Sequence, residues 1–536
     1  MKPPSTSRCA GFSRRRKPSC TQAFGLLGIL SIWTAAGVVR GDMTESQVIV
    51  VYNSAAAEAT ALKDAYLAAH PGIGAAQVLD LSSKVLVDNP ADLTYADFKQ
   101  EVRDPVRAFL AGGVGFSPQS IVCIVLIRPM PHRIQDSDQP TAGDFPSPSA
   151  NNFNSGDATF ASVDAELVLL WQDLDNGEAG GTMDSHTDNT IDNPYHTRTE
   201  GIVGCADCDR SNITTAKTFT PRLNLVWELG GIGATLLTPG DMYLVCRIDG
   251  TTLADAEAVI DRAQDVRLNQ ATTICVLDEF DVDGGADDLD DDQLFLLNDP
   301  FIAGNDFEEA TAALEGAGWT VRYDGTTDFI EGFEETRPIA AYASYGENHS
   351  QNGQNPQGSG IYIEGFLFPR GAMFNTAESY NGRALNGLET LLGQEQIADF
   401  ITAGGTFGVG YVWEPFTITL FDNEFLFVNF LVNDLTFAEA AYSAMPALSW
   451  QHVVVGDPLA KASIVNDPGL PPGDLNGDGF ANGLDLPWFI DLLRNGPANY
   501  HAAFPALDPI ARADFNGDQS VSLDDLDAFV AALLEG

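Results

Sequence analysis

The segment DLNGDGFANGLD, Asp474–Asp485, carries oxygen-bearing side chains at a spacing that suits a divalent cation. With Asp474 as position 1, Asp474, Asn476, Asp478, Asn482 and Asp485 fall at positions 1, 3, 5, 9 and 12. The carbonyl of Phe480 falls at position 7 and Gly479 at position 6, where such a loop turns sharply. Forty residues on, Asp514, Asn516, Asp518, Ser522 and Asp525 repeat the set, with Ser520 at position 7. Without a cation, each pair of carboxylates held about 5 Å apart costs roughly 3 kcal/mol at an effective dielectric of about 20. The spacing predicts Ca²⁺ binding coupled to folding of the tail. Mg²⁺ fits less well, because it demands tighter octahedral geometry. An Asp/Asn turn that caps a helix would explain one copy, but two matching copies favour a metal. A third acidic run places Asp281, Asp283, Asp287 and Asp292 at positions 1, 3, 7 and 12. Its Gly285 and Leu289, at positions 5 and 9, fit a solvated loop better.

The residues ahead of the tail carry chemistry without a strong signature. A nucleotide-binding glycine loop after the first strand, a P-loop, H-E-x-x-H and G-x-S-x-G are all absent from the sequence. In parallel-sheet proteins sites gather at the carboxyl ends of strands. Residues at such places are Arg128, His132 and Arg133 in RPMPHRI, Asp164 and Glu166 in SVDAEL, and Glu347 and His349 in YGENHS. Asn375, Thr376 and Glu378 follow another strand, Glu414 lies in YVWEP and Asp457 in VVVGDP. Each has an ordinary structural role open to it. Together, His132, Glu414, Asp164, Glu166 and His349 form the candidate catalytic set for general acid/base chemistry. With Arg128 and Arg133, the same groups would grip an anionic or sugar-like ligand.

The 536-residue chain has a formal net charge of −47, which repels nucleic acid and anionic lipid and favours divalent cations. Residues 1–41 stand apart, with Lys2, Arg8, Arg14, Arg15, Arg16, Lys17 and Arg40 and no acid. A basic flank followed by AFGLLGILSIWTAAGVV reads as a secretory signal peptide, with a retained membrane anchor as the rival. No later stretch is long and apolar enough to span a membrane. Cys123, Cys246 and Cys275 lie in apolar strand-like runs and are expected as buried thiols. Cys205 and Cys208 form GCADC, where a second zinc-ligand pair of matching spacing is lacking; in an exported chain a local disulfide is expected.

Positioning these residues falls to alternating elements. Strands are predicted at 47–53, around AQVLDL, at 121–127, 242–248, 273–280, 320–324, 339–346, 371–377, 407–414 and 452–458. Helices are predicted from a Ser54 cap to about His70, at 94–111, 252–268, 306–316, 393–403 and 436–445. Strands alternating with helices predict an α/β fold, a mainly parallel sheet with helices on both faces, over residues 42–465. Residues 466–473, NDPGLPPG, read as a linker. In the all-α tail, Leu486, Phe489, Ile490 and Leu493 form one apolar stripe and Leu526, Phe529, Val530 and Leu533 another. The two stripes are expected to bury each other.

Residues 474–536 resemble the type I dockerin family: paired EF-hand-like calcium loops, each with Asp at position 12 and a following helix. The resemblance implies Ca²⁺ as cofactor, a cohesin-like or cell-surface partner and the company of secreted glycoside hydrolases. Gln519 departs from it at position 6 of the second loop, and residues 496–513 make a long connection. Gly483-Leu484 and Leu523-Asp524 replace the small-hydroxyl pairs common at cohesin contacts.

The segments PMPHRI, SVDAEL, NPY, CRIDG, YASYGEN, GYVWEPF and FAEAAYSAMPALSWQHVVVGDPL resemble, in order over residues 47–460, a family of uncharacterised secreted bacterial proteins. GTFGVGYV, FAEAAY and VVVGDP also resemble the end of gingipain-like, caspase-fold cysteine peptidases. In those, His-Gly follows one strand and the catalytic Cys the next. Here the matching strand ends read YASYGENHS and AMFNTAES, without that dyad. The expectation is an exported, extracellular or cell-surface protein that binds or assembles. The alternatives are a secreted hydrolase acting on glycans in polysaccharide catabolism and a degenerate cysteine-peptidase-like fold.

Overall fold

The computed structural model describes residues 42–135, 161–172, 191–211, 213, 237–279, 306–326, 330, 332, 335, 337–346, 363, 365–387, 396–413, 415, 419–466, 471–477, 481–504 and 507–535. The signal segment, the third acidic run, Glu347, His349, Glu414, Asp478 and Phe480 lie outside the described residues. No helix among the described residues is long and apolar enough to cross a membrane.

The protein is α/β. Its ten-stranded sheet is built from β1 (Val48–Tyr52), β2 (Val78–Asp80), β3 (Cys123–Ile127), β4 (Leu244–Ile248), β5 (Ile274–Asp278), β6 (Thr320–Asp324), β7 (Ile339–Ser344), β8 (Met373–Thr376), β9 (Phe407–Tyr411) and β10 (His452–Val455). The spatial order is β6-β5-β7-β8-β9-β10-β4-β3-β1-β2. Every neighbouring pair is parallel except β9 and β10, which run antiparallel from Gly408↔Val455 to Tyr411↔His452. The sheet is therefore two five-stranded parallel halves of opposite direction. β10 joins β4 through the single register pair Val455↔Arg247.

β3, β4, β5, β7, β8, β9 and β10 are buried at every residue, as continuous apolar runs require when helices cover the sheet. The flanking helices include α1 (Ala59–Ala69), α2 (Asp104–Ala111), α3 (Val163–Val168), α4 (Leu253–Ala263), α5 (Asp306–Gly316), α6 (Ile397–Thr402), α7 (Asn423–Leu431) and α8 (Phe437–Ser443). Helix 306–316 and strand 320–324 match expectation residue for residue. The Ser54 cap does not. Helix α1 starts five residues later, because the Ser54 amide donates to Asp80 Oδ1 at 3.0 Å and ties that turn to β2. The 94–111 helix contains a π-helical stretch at Phe98–Arg103 ahead of α2.

The tail has its own small core of Leu475, Phe489, Leu492, Tyr500, Ala513 and Phe529. Its helices are α9 (Leu486–Asn495), α10 (Pro497–Ala503), α11 (Pro509–Ala513) and α12 (Leu526–Glu535). Phe489 and Phe529, equivalent positions of the two repeats, stack with centroids 4.0 Å apart. The expected burial of the stripes holds in part: Leu493, Leu526 and Leu533 also pack against this core, half-buried, while Leu486, Ile490 and Val530 stay exposed. The long connection supplies the rest of the core. Tyr500 and Phe504 pack on Trp488 at 6.3 and 4.7 Å, so α9 turns its Trp488/Leu492 side inward.

Candidate functional site

In both tail loops backbone amides orient the carboxylates alike. Asp485 Oδ1 accepts from the amides of Leu475 (2.8 Å) and Asn476 (2.9 Å), and its Oδ2 from Asn482 (2.8 Å). Asp525 repeats this with Phe515 (2.8 Å), Asn516 (3.1 Å) and Ser522 (2.8 Å). Asp474 Oδ1 accepts from Gly477 at 2.7 Å, as Asp514 Oδ1 does from Gly517 at 2.8 Å. These glycines have φ of +76° and +77°, where a side chain would be strained. Asp474, Asp485 and Asp525 are fully buried. Each position-12 carboxylate keeps a lone pair on Oδ2 beyond its amide bonds.

The donor set is oxygen throughout, which fits a hard cation. Asp474, Asn476, Asn482 and Asp485 would hold one ion, and Asp514, Asn516, Asp518, Ser520, Ser522 and Asp525 a second. The second loop departs at Gln519, whose φ is +66°. An L side chain in that region costs about 1–2 kcal/mol. Burial raises the Asp514 carboxyl, partly offset by amides of Gln519, Gly517 and Asp518.

In the large domain, Arg128, His132 and Asp164 come together, but around a residue outside the candidate set. Arg247, buried in β4, lies between two carboxylates. Its Nε and Nη2 donate to Asp164 at 3.0 and 2.5 Å, and its Nη1 to Asp249 at 3.0 Å. The carbonyls of Met130 (3.2 Å) and Pro131 (3.3 Å) take the remaining donors. All five N–H groups are thus used. Arg128 extends the network to Glu58 (2.5 Å) and to the carbonyls of Thr251 and Asn386 (both 3.1 Å). His132 is fully buried and Nε2 lies 2.9 Å from the Arg383 carbonyl. Burial, then Arg247 and Arg133, hold its pKa well below the usual histidine value, so the ring is neutral. Its Nδ1 has no hydrogen-bond partner among the described residues. Arg133 pairs with Asp92 and lies over the Trp413 ring at 5.0 Å. Glu166 is separate and accepts from Ser449 Oγ at 2.7 Å. Asp457 accepts from His70 Nε2 (2.6 Å) and Gln264 Nε2 (3.1 Å). These bonds clamp loops and strands together.

A second polar cluster lies beside the end of β8. Asn375 Nδ2 donates to Asn423 Oδ1 at 2.8 Å, and Asn423 Nδ2 donates to Asp306 Oδ2 at 2.6 Å. Asp422 caps α7 through the Phe425 amide at 2.9 Å and is hydrogen-bonded to Asp306. Both carboxyls are buried. Burial raises both, Asp306 to about 6 and Asp422 well above the usual range, so the pair retains a proton. At the end of β7, Gly346 has φ +56° and a Cβ there would fall 2.1 Å from Glu378 Cδ, which is why only glycine fits. The residues closing β7 and β8 are thus Gly346, Thr376 and the buried Glu378.

Arg247, Asp249, Asp306 and Asp422 are the groups missed from sequence. One signal was available for two of them: an Arg and an Asp inside the apolar run MYLVCRID demand buried partners. Cys123, Cys246 and Cys275 are buried free thiols, as expected. Cys205 and Cys208 are disulfide-bonded. Those two and Asp207 bring ligand atoms within 4.8 Å of one another, but a disulfide presents no thiolate to a metal. Comparison with protein-family models, with curated proteins and with solved structures finds no match.

Proposed function

We propose that this is an exported Ca²⁺-binding protein of extracellular or cell-surface assembly, with a dockerin-like tail and a large domain that binds rather than turns over its ligand. The matching amide cages around Asp485 and Asp525 carry this reading, because two loops of one design prepare the same oxygen set twice. Calcium would supply the positive charge that lets these carboxylates share a loop. A protein partner on the tail, cohesin-like or other, is supported by its exposed Leu484, Leu486, Ile490, Leu523, Val530 and Leu534. A caspase-like topology remains part of the proposal as a fold without its thiolate, since Thr376 and Glu378 stand where the nucleophile would follow β8.

A second reading, glycan hydrolysis, needs a carboxyl that keeps its proton, and burial raises those of Asp306 and Asp422, which lie beneath the surface and would have to be opened to a glycan. A panel of glycans and peptides separates the two. Ligand binding without turnover supports the first reading. Glycan turnover abolished in Asp422→Asn supports the second and overturns the first.

A further inference from the structure

Gln519 does more than replace a glycine. Its amide donates to Asp514 Oδ2 at 2.7 Å, inside the second loop. Its side-chain Nε2 donates to the Phe368 carbonyl at 2.8 Å, outside the tail. Its carbonyl accepts from Arg370 Nε at 3.2 Å, and Arg370 is held in turn by the carbonyl and carboxylate of Asp261 at 3.0 and 2.5 Å. One left-handed residue of the second loop therefore also hydrogen-bonds to the segment that leads into β8. The seam has further ties. His501 Nδ1 lies 3.0 Å from Asp265 Oδ2, and Arg267 donates to the Leu507 carbonyl at 3.2 Å. Between them lies a cleft of about 810 Å³ bordered by Phe368, Arg370, His501, Pro509 and Gln519.

The left-handed conformation explains how the contact is made. It turns the Gln519 carbonyl toward Arg370 while the amide stays on Asp514, the first residue of the cage. A glycine would keep the loop and lose the side-chain bond. The first loop, with Gly479 at the same position, has no such side chain to offer.

We propose that the second loop is an intramolecular docking element: Gln519 fastens the tail to the large domain at Phe368–Arg370 when the loop is closed, so that cation occupancy and docking favour each other. This rests on the Ca²⁺ reading of the tail. A cation that orders residues 514–525 fixes the Gln519 backbone that Arg370 grips. By reciprocity, docking raises the affinity of that loop by the same factor. The tail is then a reporter of calcium to the large domain, with one loop turned inward.

The full chain tests this by calcium titration calorimetry alongside small-angle scattering and limited proteolysis of the 466–473 segment. In wild type, calcium is expected to bind in two equivalents, and chelation by EGTA to enlarge the radius of gyration and speed cleavage about tenfold. Gln519→Gly, which keeps the backbone carbonyl on Arg370 and loses the bond to Phe368, should still bind two calcium ions yet scatter and cleave part-way toward the undocked form. Arg370→Ala, which leaves the loop sequence intact, should lower the affinity of one site about fivefold. Two bound ions with unchanged scattering and cleavage in Gln519→Gly, or unchanged affinities in Arg370→Ala, overturn the docking proposal alone. Absence of calcium heat in wild type overturns the underlying reading and the coupling with it.

Discussion

Carboxylates crowd together in two regions of this protein, and the two regions resolve the repulsion differently. In the large domain Asp164 and Asp249 share Arg247, whose five donors are all used inside the fold. Nearby, Asp306 and Asp422 resolve it with a retained proton. The tail loops contain no Lys or Arg between positions 1 and 12. Backbone amides orient their position-1 and position-12 carboxylates, the Asn516 and Ser520 side chains donate to Asp518, and in the proposed reading a bound cation supplies the compensating charge. The large domain pairs these carboxylates with groups of its own, whereas the two tail loops carry no cationic side chain within their twelve positions. Calcium should therefore matter greatly to the stability of the tail and little to the interior of the sheet.

The largest expected effect breaks the internal compensation. Arg247→Ala strands the buried Asp164, leaves Asp249 to Arg128 and the amides of Gly250 and Asn386, and is expected to cost about 3–5 kcal/mol. Urea unfolding should show the same loss in calcium and in EGTA; a loss confined to EGTA would contradict the comparison. Phe529→Ala removes the stacked ring between the repeats and is expected to cost roughly 3 kcal/mol in the tail transition. That transition should recover in part as calcium is raised, because ligand binding to the folded form adds stability.

Asp422→Asn keeps the helix cap and can donate to Asp306. Burial raises the Asp306 pKa from 3.8 to about 6. The folded pair therefore binds more protons than the unfolded chain, and its stability contribution falls as pH rises from about 4 through 6. The variant should flatten that slope and gain on the order of 2 kcal/mol at pH 8. His70→Gln should give the smallest change. Burial lowers the His70 pKa, but Asp457 and Glu45 outweigh it and the net shift is upward. The charged ring therefore stabilises fully below about pH 6.5 and is lost as pH rises through the raised folded value. Melting curves should show a deficit of about 1 kcal/mol at pH 5.5 that disappears by pH 9.

What was legible follows the range of the interactions. Helix 306–316 and the strand after it are announced by local apolar periodicity, and they form at the expected residues. The matching amide bonds around Asp485 and Asp525 follow a repeat that is legible for the same reason, since each set lies within twelve residues. The antiparallel seam between β9 and β10 was not legible, because pairing of Gly408 with Val455 joins residues far apart in the chain. Nor was the gathering of Arg128, His132 and Asp164 around Arg247, which needs three chain segments at once. The expected burial of Ile490 and Val530 failed because Tyr500 and Phe504 arrive from the connection and take their place. The acid/base set suffers similarly: burial first, then Arg247 and Arg133, lowers the His132 pKa well below the usual value, and all three depend on the assembled fold.

The central claim is that an external dication completes the tail. Calorimetric titration of the full chain with CaCl₂, against the Asp485→Ala/Asp525→Ala double variant, tests it most directly. Two equivalents of bound calcium in the native chain, with a rise in helical circular dichroism and neither signal in the variant, is the predicted result. A native chain that takes up no calcium, or a variant that binds as well as the native chain, would contradict it.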